Sequence, residues 1–134
     1  MLRDIGQGRL SLLMPSEFDR VIGQKNINYV LFGIRNCKPC EILKQSIYIV
    51  RENFPNIGFW YVPSRSINYE AAQLEKKYRV KYVPRSILFR GGVEIGRFLS
   101  HVSPETLSEY LNEAALMGVL SPKPGDVEAI LITP

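Results

Sequence analysis

Two residues in this 134-residue chain stand out chemically: Cys37 and Cys40, the only cysteines, in the run Arg35-Asn36-Cys37-Lys38-Pro39-Cys40. On a helix, positions three apart share one face, so two such sulfurs can bridge with little strain. A cysteine at a helix N-terminus meets unpaired backbone N–H groups and the positive end of the helix dipole. That setting favours thiolate, lowering a free-thiol pKa of about 8.5 toward about 3.5–7.5. Lys38, Arg35 and Arg85 carry charge of the sign that adds to the effect. The expected roles are Cys37 as attacking nucleophile and Cys40 as resolving thiol, with no cofactor, because the two sulfurs carry the electrons themselves. Three other readings of the pair stand beside this one: a structural disulfide, half of a zinc site completed by His101 or a second copy, and two inert core thiols. A disulfide here closes a very short loop and constrains the unfolded chain little, and zinc asks for four ligands.

The elements that must position this pair follow from pattern. Asn28 to Ile34 is a predicted strand, with the continuous apolar run Tyr29-Val30-Leu31-Phe32 expected of a strand covered on both faces. Arg35 and Asn36 break it. A helix is predicted from Cys37 to Asn53, its apolar stripe formed by Cys40, Leu43, Ile47, Val50 and Phe54 and widened by Ile42 and Ile49. Before these lie a loose arm over 1–8, a short strand over Arg9–Leu13, and a helix opened by Ser16 as N-cap and ended by Gly23. After them come a strand at Ile57–Val62, a helix at Asn68–Tyr78, and a strand at Val83–Arg90 that includes Pro84. A Gly91-Gly92 hairpin turn follows, then a strand at Val93–Leu99. Ser103 and Pro104 open the last helix, whose apolar face is Leu107, Tyr110, Leu111, Ala114 and Ala115, with Gly118 as its stop. The order is βαβαβαββα, an α/β class with a central mixed sheet and helices on both faces.

Length and composition predict one domain over residues 1–118 with a C-terminal extension, 119–134. Ser121 to Gly125 has the composition of a linker. Val127 to Ile132 is apolar apart from Glu128 and needs cover, either by docking on the domain, by adding a strand, or by meeting a partner. No apolar run approaches the ~20 residues that span a bilayer, and no secretory pattern opens the chain, so a cytoplasmic protein without membrane partners is expected. The net charge of +4 is concentrated from Lys76 to Arg97, with seven basic residues against Glu94. A solvated basic face is the preferred reading over an acidic partner or nucleic acid, since no nucleic-acid motif accompanies it.

With that element order and Cys-Lys-Pro-Cys at a strand-to-helix junction, residues 9 to 117 resemble the thioredoxin family. The segment Tyr78-Arg79-Val80-Lys81-Tyr82-Val83-Pro84-Arg85-Ser86 carries a second landmark of that family. The resemblance implies that Pro84 is a cis-proline beside the cysteine pair and that the backbone of Val83 pairs with an extended substrate segment. It implies a substrate-binding set of Lys38, Pro39, Val83, Pro84 and Arg85. It also implies thiol–disulfide exchange on protein substrates, with a reductase or other thiol donor as redox partner. The departures are specific. Asn36 stands where thioredoxins usually have tryptophan, Leu31 where they bury an aspartate, Gln45 near their helix proline, Ser100 near a groove glycine, and Arg85 where threonine usually follows the cis-proline. These departures lend weight to an alternative function, a redox-inactive adaptor or assembly protein that binds extended peptides on the same fold.

Overall fold

A computed structural model describes residues 10–64, 69–124 and 128–132. The elements are β1 (Ser11–Leu12), α1 (Phe18–Ile22), β2 (Asn28–Gly33), α2 (Lys38–Val50), β3 (Gly58–Pro63), α3 (Tyr69–Lys77), β4 (Tyr82–Val83), β5 (Arg85–Arg90), β6 (Val93–Leu99), α4 (Pro104–Met117) and β7 (Ile130–Leu131). The main sheet has the order β1-β3-β2-β5-β6. β1 and β2 run parallel to β3, while β5 runs antiparallel to both β2 and β6. The chain is therefore α/β with the mixed sheet that its sequence pattern predicts. β2 lies at the centre, and every residue from Asn28 to Gly33 is buried.

The alternation of side chains along β2 splits the core in two. Val30 and Phe32 point into one cluster with Phe18, Val21 and Ile22 of α1, Leu74 of α3, Ile87 and Phe89 of β5, and the two cysteines. Tyr29 and Leu31 point into the other, with Leu43, Ile47 and Val50 of α2 and Leu107, Leu111 and Ala114 of α4. The helix α2 thus changes sides: Cys40 in its first turn belongs to the first cluster and the rest of its stripe to the second. Three side-chain hydrogen bonds tie polar groups into this interior. The Asn28 side-chain amide donates to the Val21 carbonyl and accepts from the Trp60 indole, and the Tyr29 hydroxyl shares a 2.6 Å bond with Ser86.

Several expectations are corrected. Ser16 caps nothing: it sits inside a 3-10 turn, Pro15–Glu17, and the α-helical part begins only at Phe18. α2 ends at Val50, and a 3-10 turn carries the chain on to Asn53. Ile42 and Ile49 do not widen the buried stripe. They are 37% and 58% exposed, because α2 packs on the sheet along one narrow face. Ala115 is likewise on the outer side of α4. The single strand expected across Val83–Arg90 is two strands, because Pro84 lacks the N–H that a continuous ladder needs. The first strand is shorter than expected, and Arg9, Asn68, Gly125, Val127 and the arm 1–8 lie outside the described residues.

The chain beyond α4 returns to the domain. Gly118 takes φ 79°, a left-handed turn that glycine adopts without strain. Leu120 then seats on Gly96, and its N–H donates to the Ile95 carbonyl at 2.7 Å. Any side chain at position 96 would occupy the space that Leu120 fills. Glu113 on α4 accepts from the Lys123 ammonium at 2.5 Å and from the Ser121 N–H at 2.6 Å. These bonds hold its carboxyl at a pKa of about 2. Of the three fates open to this segment, its described residues 128–132 take two at once, docking on the domain and adding a strand: β7 pairs antiparallel with β4.

Candidate redox site

The site is built where β2 hands over to α2. After Gly33 the chain turns through Arg35 and Asn36, both exposed. Asn36 has φ 54°, the left-handed region that asparagine tolerates better than most residues. The turn delivers Cys37 as the N-cap of α2 in extended conformation, and its sulfur accepts the Cys40 N–H at 3.2 Å. Cys37 thus takes the place that serine or aspartate takes on other helices, satisfying an orphan donor at the positive end of the dipole. Pro39 fits the first turn because its missing N–H would have had no helical partner. Cys37 and Cys40 are joined as a disulfide, with Cα atoms 5.2 Å apart. Both sulfurs are covered, at 1% and 0% residue exposure.

Gly33 lies under the pair. A Cβ there would come 2.9 Å from the Tyr61 ring and 3.4 Å from the Cys40 sulfur. Glycine is needed because Tyr61 and Cys40 close over that point from two sides. Tyr61 is a neighbour that composition did not single out: it lies in an aromatic strand, where its type reads as sheet core. Its hydroxyl lies 3.2 Å from the same point, the Lys44 ammonium sits 4.1 Å from its ring centroid, and Lys44 pairs with Glu41 at 3.3 Å. Burial, and then the nearby Glu41 carboxylate, push the Tyr61 hydroxyl up to about 12, so it stays protonated at neutral pH. Leu31, fully buried among Leu43 and Ile47, offers no proton acceptor in the strand beside them.

The second landmark is also in place. The Val83–Pro84 peptide bond is cis. Val83 is fully buried in the same apolar cluster as Cys37 and Cys40, and the Pro84 carbonyl accepts the Ser100 N–H at 2.8 Å. Lys38 and Pro39 form one side of a cleft of about 390 Å³, with Ile42 beside them, and His101, Glu128 and Ile130 line the other. Arg85 has its pKa lowered by burial and then by the Arg97 charge, with Glu94 opposing them. Its Nε is buried and has no hydrogen-bond partner. Lys38 and Pro39 thus line the cleft and Val83 shares the apolar cluster of the cysteines, while the charges acting on Arg85 are those of β6. His101, placed by sequence in a loop, holds Glu128 at 2.8 Å and lines the cleft.

No protein-family model matches the chain. A thioredoxin-like protein, YusE, from Bacillus subtilis (strain 168) is 26% identical over 77 residues, 58% of this chain and 69% of that one. The fold superposes on oxidised mitochondrial thioredoxin 3 from Saccharomyces cerevisiae with TM-score 0.67 and 20% identity, covering 78% of this chain and 94% of that one. Thioredoxin from Trypanosoma brucei brucei gives TM-score 0.69 at 17% identity, over 87% and 99% of the two chains. Among the described residues no helix is long and apolar enough to cross a membrane. The strand-to-helix disulfide, the sheet order and these likenesses agree: the chain is thioredoxin-like, with the thioredoxin fold and a Cys-x-x-Cys pair at the junction of β2 and α2.

Proposed function

We propose that this protein is a thiol–disulfide oxidoreductase that reduces or exchanges disulfides in protein substrates through Cys37 and Cys40, with 1–118 as the working domain and 119–134 as an extension. The observation that carries the reading is the Cys37 sulfur, set as the N-cap of α2 and bonded to Cys40 one turn on. In the reducing direction, Cys37 thiolate attacks one sulfur of a substrate disulfide. That S–S bond breaks, the departing substrate sulfur takes a proton, and a mixed disulfide forms. Cys40 then loses its proton and attacks the Cys37 sulfur, the second substrate thiol leaves, and the Cys37–Cys40 disulfide closes. Two electrons pass from the dithiol to the substrate, and a reductase or other thiol donor restores the pair. The same steps reversed oxidise a substrate dithiol.

Lys38 at the first helical position adds positive charge at the rim, and Val83, Pro84 and Pro39 are the backbone and surface against which a substrate segment lies. With Leu31 in the strand and Tyr61 held protonated, proton exchange at Cys40 falls to water or to Glu41 at the exposed rim. The test is a pair of variants. Cys40→Ser is expected to accumulate mixed disulfides through Cys37 and Cys37→Ser to abolish both trapping and insulin reduction. Trapping that persists in Cys37→Ser, or a wild type that neither reduces insulin nor forms any mixed disulfide, overturns the reading in favour of a peptide-binding adaptor.

A further inference from the structure

The backbone edge proposed above for substrate is not vacant. β4 and β7 pair antiparallel with Val83 opposite Ile130 and Tyr82 opposite Leu131, and the Ile132 N–H donates to the Lys81 carbonyl at 2.8 Å. In an antiparallel ladder hydrogen-bonded pairs alternate, so Lys81–Ile132 makes Val83–Ile130 the next such pair. Ile130 and Ile132 also pack against the apolar cluster that holds Val83, Cys37 and Cys40. Just before β7, the Glu128 carbonyl accepts the Ser100 hydroxyl at 2.7 Å and its carboxylate meets His101 at 2.8 Å. Cys37 is 1% exposed, although exchange requires an incoming sulfur to reach it.

We propose that the C-terminal strand is an intrachain occupant of the peptide-pairing edge at Val83, a strap that an extended substrate must displace before it reaches Cys37; this rests on the oxidoreductase reading. The strap is built to be displaced. Its ladder covers two residues, and the His101–Glu128 ion pair joins side chains that are 30% and 72% exposed, where pairing contributes little. It also defines its competitors. They are extended segments with a β-branched apolar residue opposite Val83 and a carboxylate two residues earlier, within reach of His101. Ser100, at φ 71°, holds a left-handed conformation that disfavours serine, and its hydroxyl is one of the strap's anchors.

Two full-length variants test this. Ile130→Pro with Ile132→Pro removes the donors of the ladder. Ser100→Gly with Glu128→Ala removes the side-chain anchors and leaves the ladder residues intact. After reduction, alkylation of Cys37 by iodoacetamide, read by mass spectrometry, is expected to rise on the order of tenfold in both, as when an open state populated at about 10% becomes the main one. A labelled peptide of residues 128–134 is expected to bind the proline variant and not wild type, and more weakly when it carries Glu128→Lys. Equal alkylation in wild type and both variants, or equal peptide binding to wild type and the proline variant, overturns the strap. Neither readout needs turnover. A faster-alkylating variant of a protein that reduces no insulin would leave the strap standing and remove the oxidoreductase reading alone.

Discussion

The two faces of the sheet are covered in different ways. One is sealed by α2 and α4, helices of 13 and 14 residues whose leucines and isoleucines interlock over Tyr29, Leu31, Leu88 and Phe98. The other is covered by short pieces: α1 with five residues, α3 with nine, and a two-residue strand at the chain's end. The cysteine pair belongs to the second face. Long helices bury enough apolar area to hold a fold, whereas short elements bury little and can be moved at low cost. The difference teaches that stability and chemistry are placed on opposite sides of one sheet, joined by α2, which reaches both.

Matched substitutions test that division. Leu111→Ala, on the sealed face and fully buried, is expected to lower unfolding free energy by about 2–5 kcal/mol through the cavity it leaves. Leu74→Ala on α3, only partly buried, is expected to stay within about 0.5–3 kcal/mol, toward the lower end. Urea unfolding of both variants measures the pair, and an equal or larger loss at Leu74 would break the comparison. Gly33→Ala is next in size. Its methyl would press on Tyr61 and the Cys40 sulfur, an overpacking cost of about 1–3 kcal/mol, and scanning calorimetry of the oxidised and reduced forms should show it.

The smallest effect concerns the link between the sealed face and the returning tail. Glu113 ionises in the folded chain at about 2, below its ordinary 4.5, because Lys123 and Ser121 donate to it. A depressed carboxylate stabilises the fold fully above its unfolded pKa. That contribution is expected to fade as pH falls from about 4.5 and to be gone below about 2. Urea midpoints of wild type and Glu113→Gln should therefore differ at pH 6 and converge toward pH 2. Curves that stay parallel would show that the clip on residues 121–123 has no weight.

Much of this was legible in residue order. The alternation of strands and helices, the hairpin at Gly91-Gly92 and the caps at Ser103 and Gly118 each rest on local chemistry and are all present, whereas the break at Pro84 and the added β7 depart from the predicted order. Where the structure departs from local pattern, a longer-range contact decides. Ile42 and Ile49 are as apolar as Ile47, but only one strip of α2 meets the sheet. Ser16 has the chemistry of a cap, yet the chain tightens into a 3-10 turn around it. Tyr61 reads as one aromatic among several, and only the fold brings its ring and the Cys40 sulfur to the same glycine, Gly33.

By itself, then, the sequence determined the α/β order, the pair of sulfurs and the helix terminus that holds them, because each depends on spacing of three or four residues along one chain. The tertiary structure alone decided what stands opposite that pair. Val83 and Ile130 are 47 positions apart, as are Lys44 and Gly91, and nothing in spacing tells which such pair will meet. A β-edge is chemically anonymous, since every residue but proline offers the same N–H and C=O. Only the folded path of the chain placed its own last strand on the edge beside the cysteines.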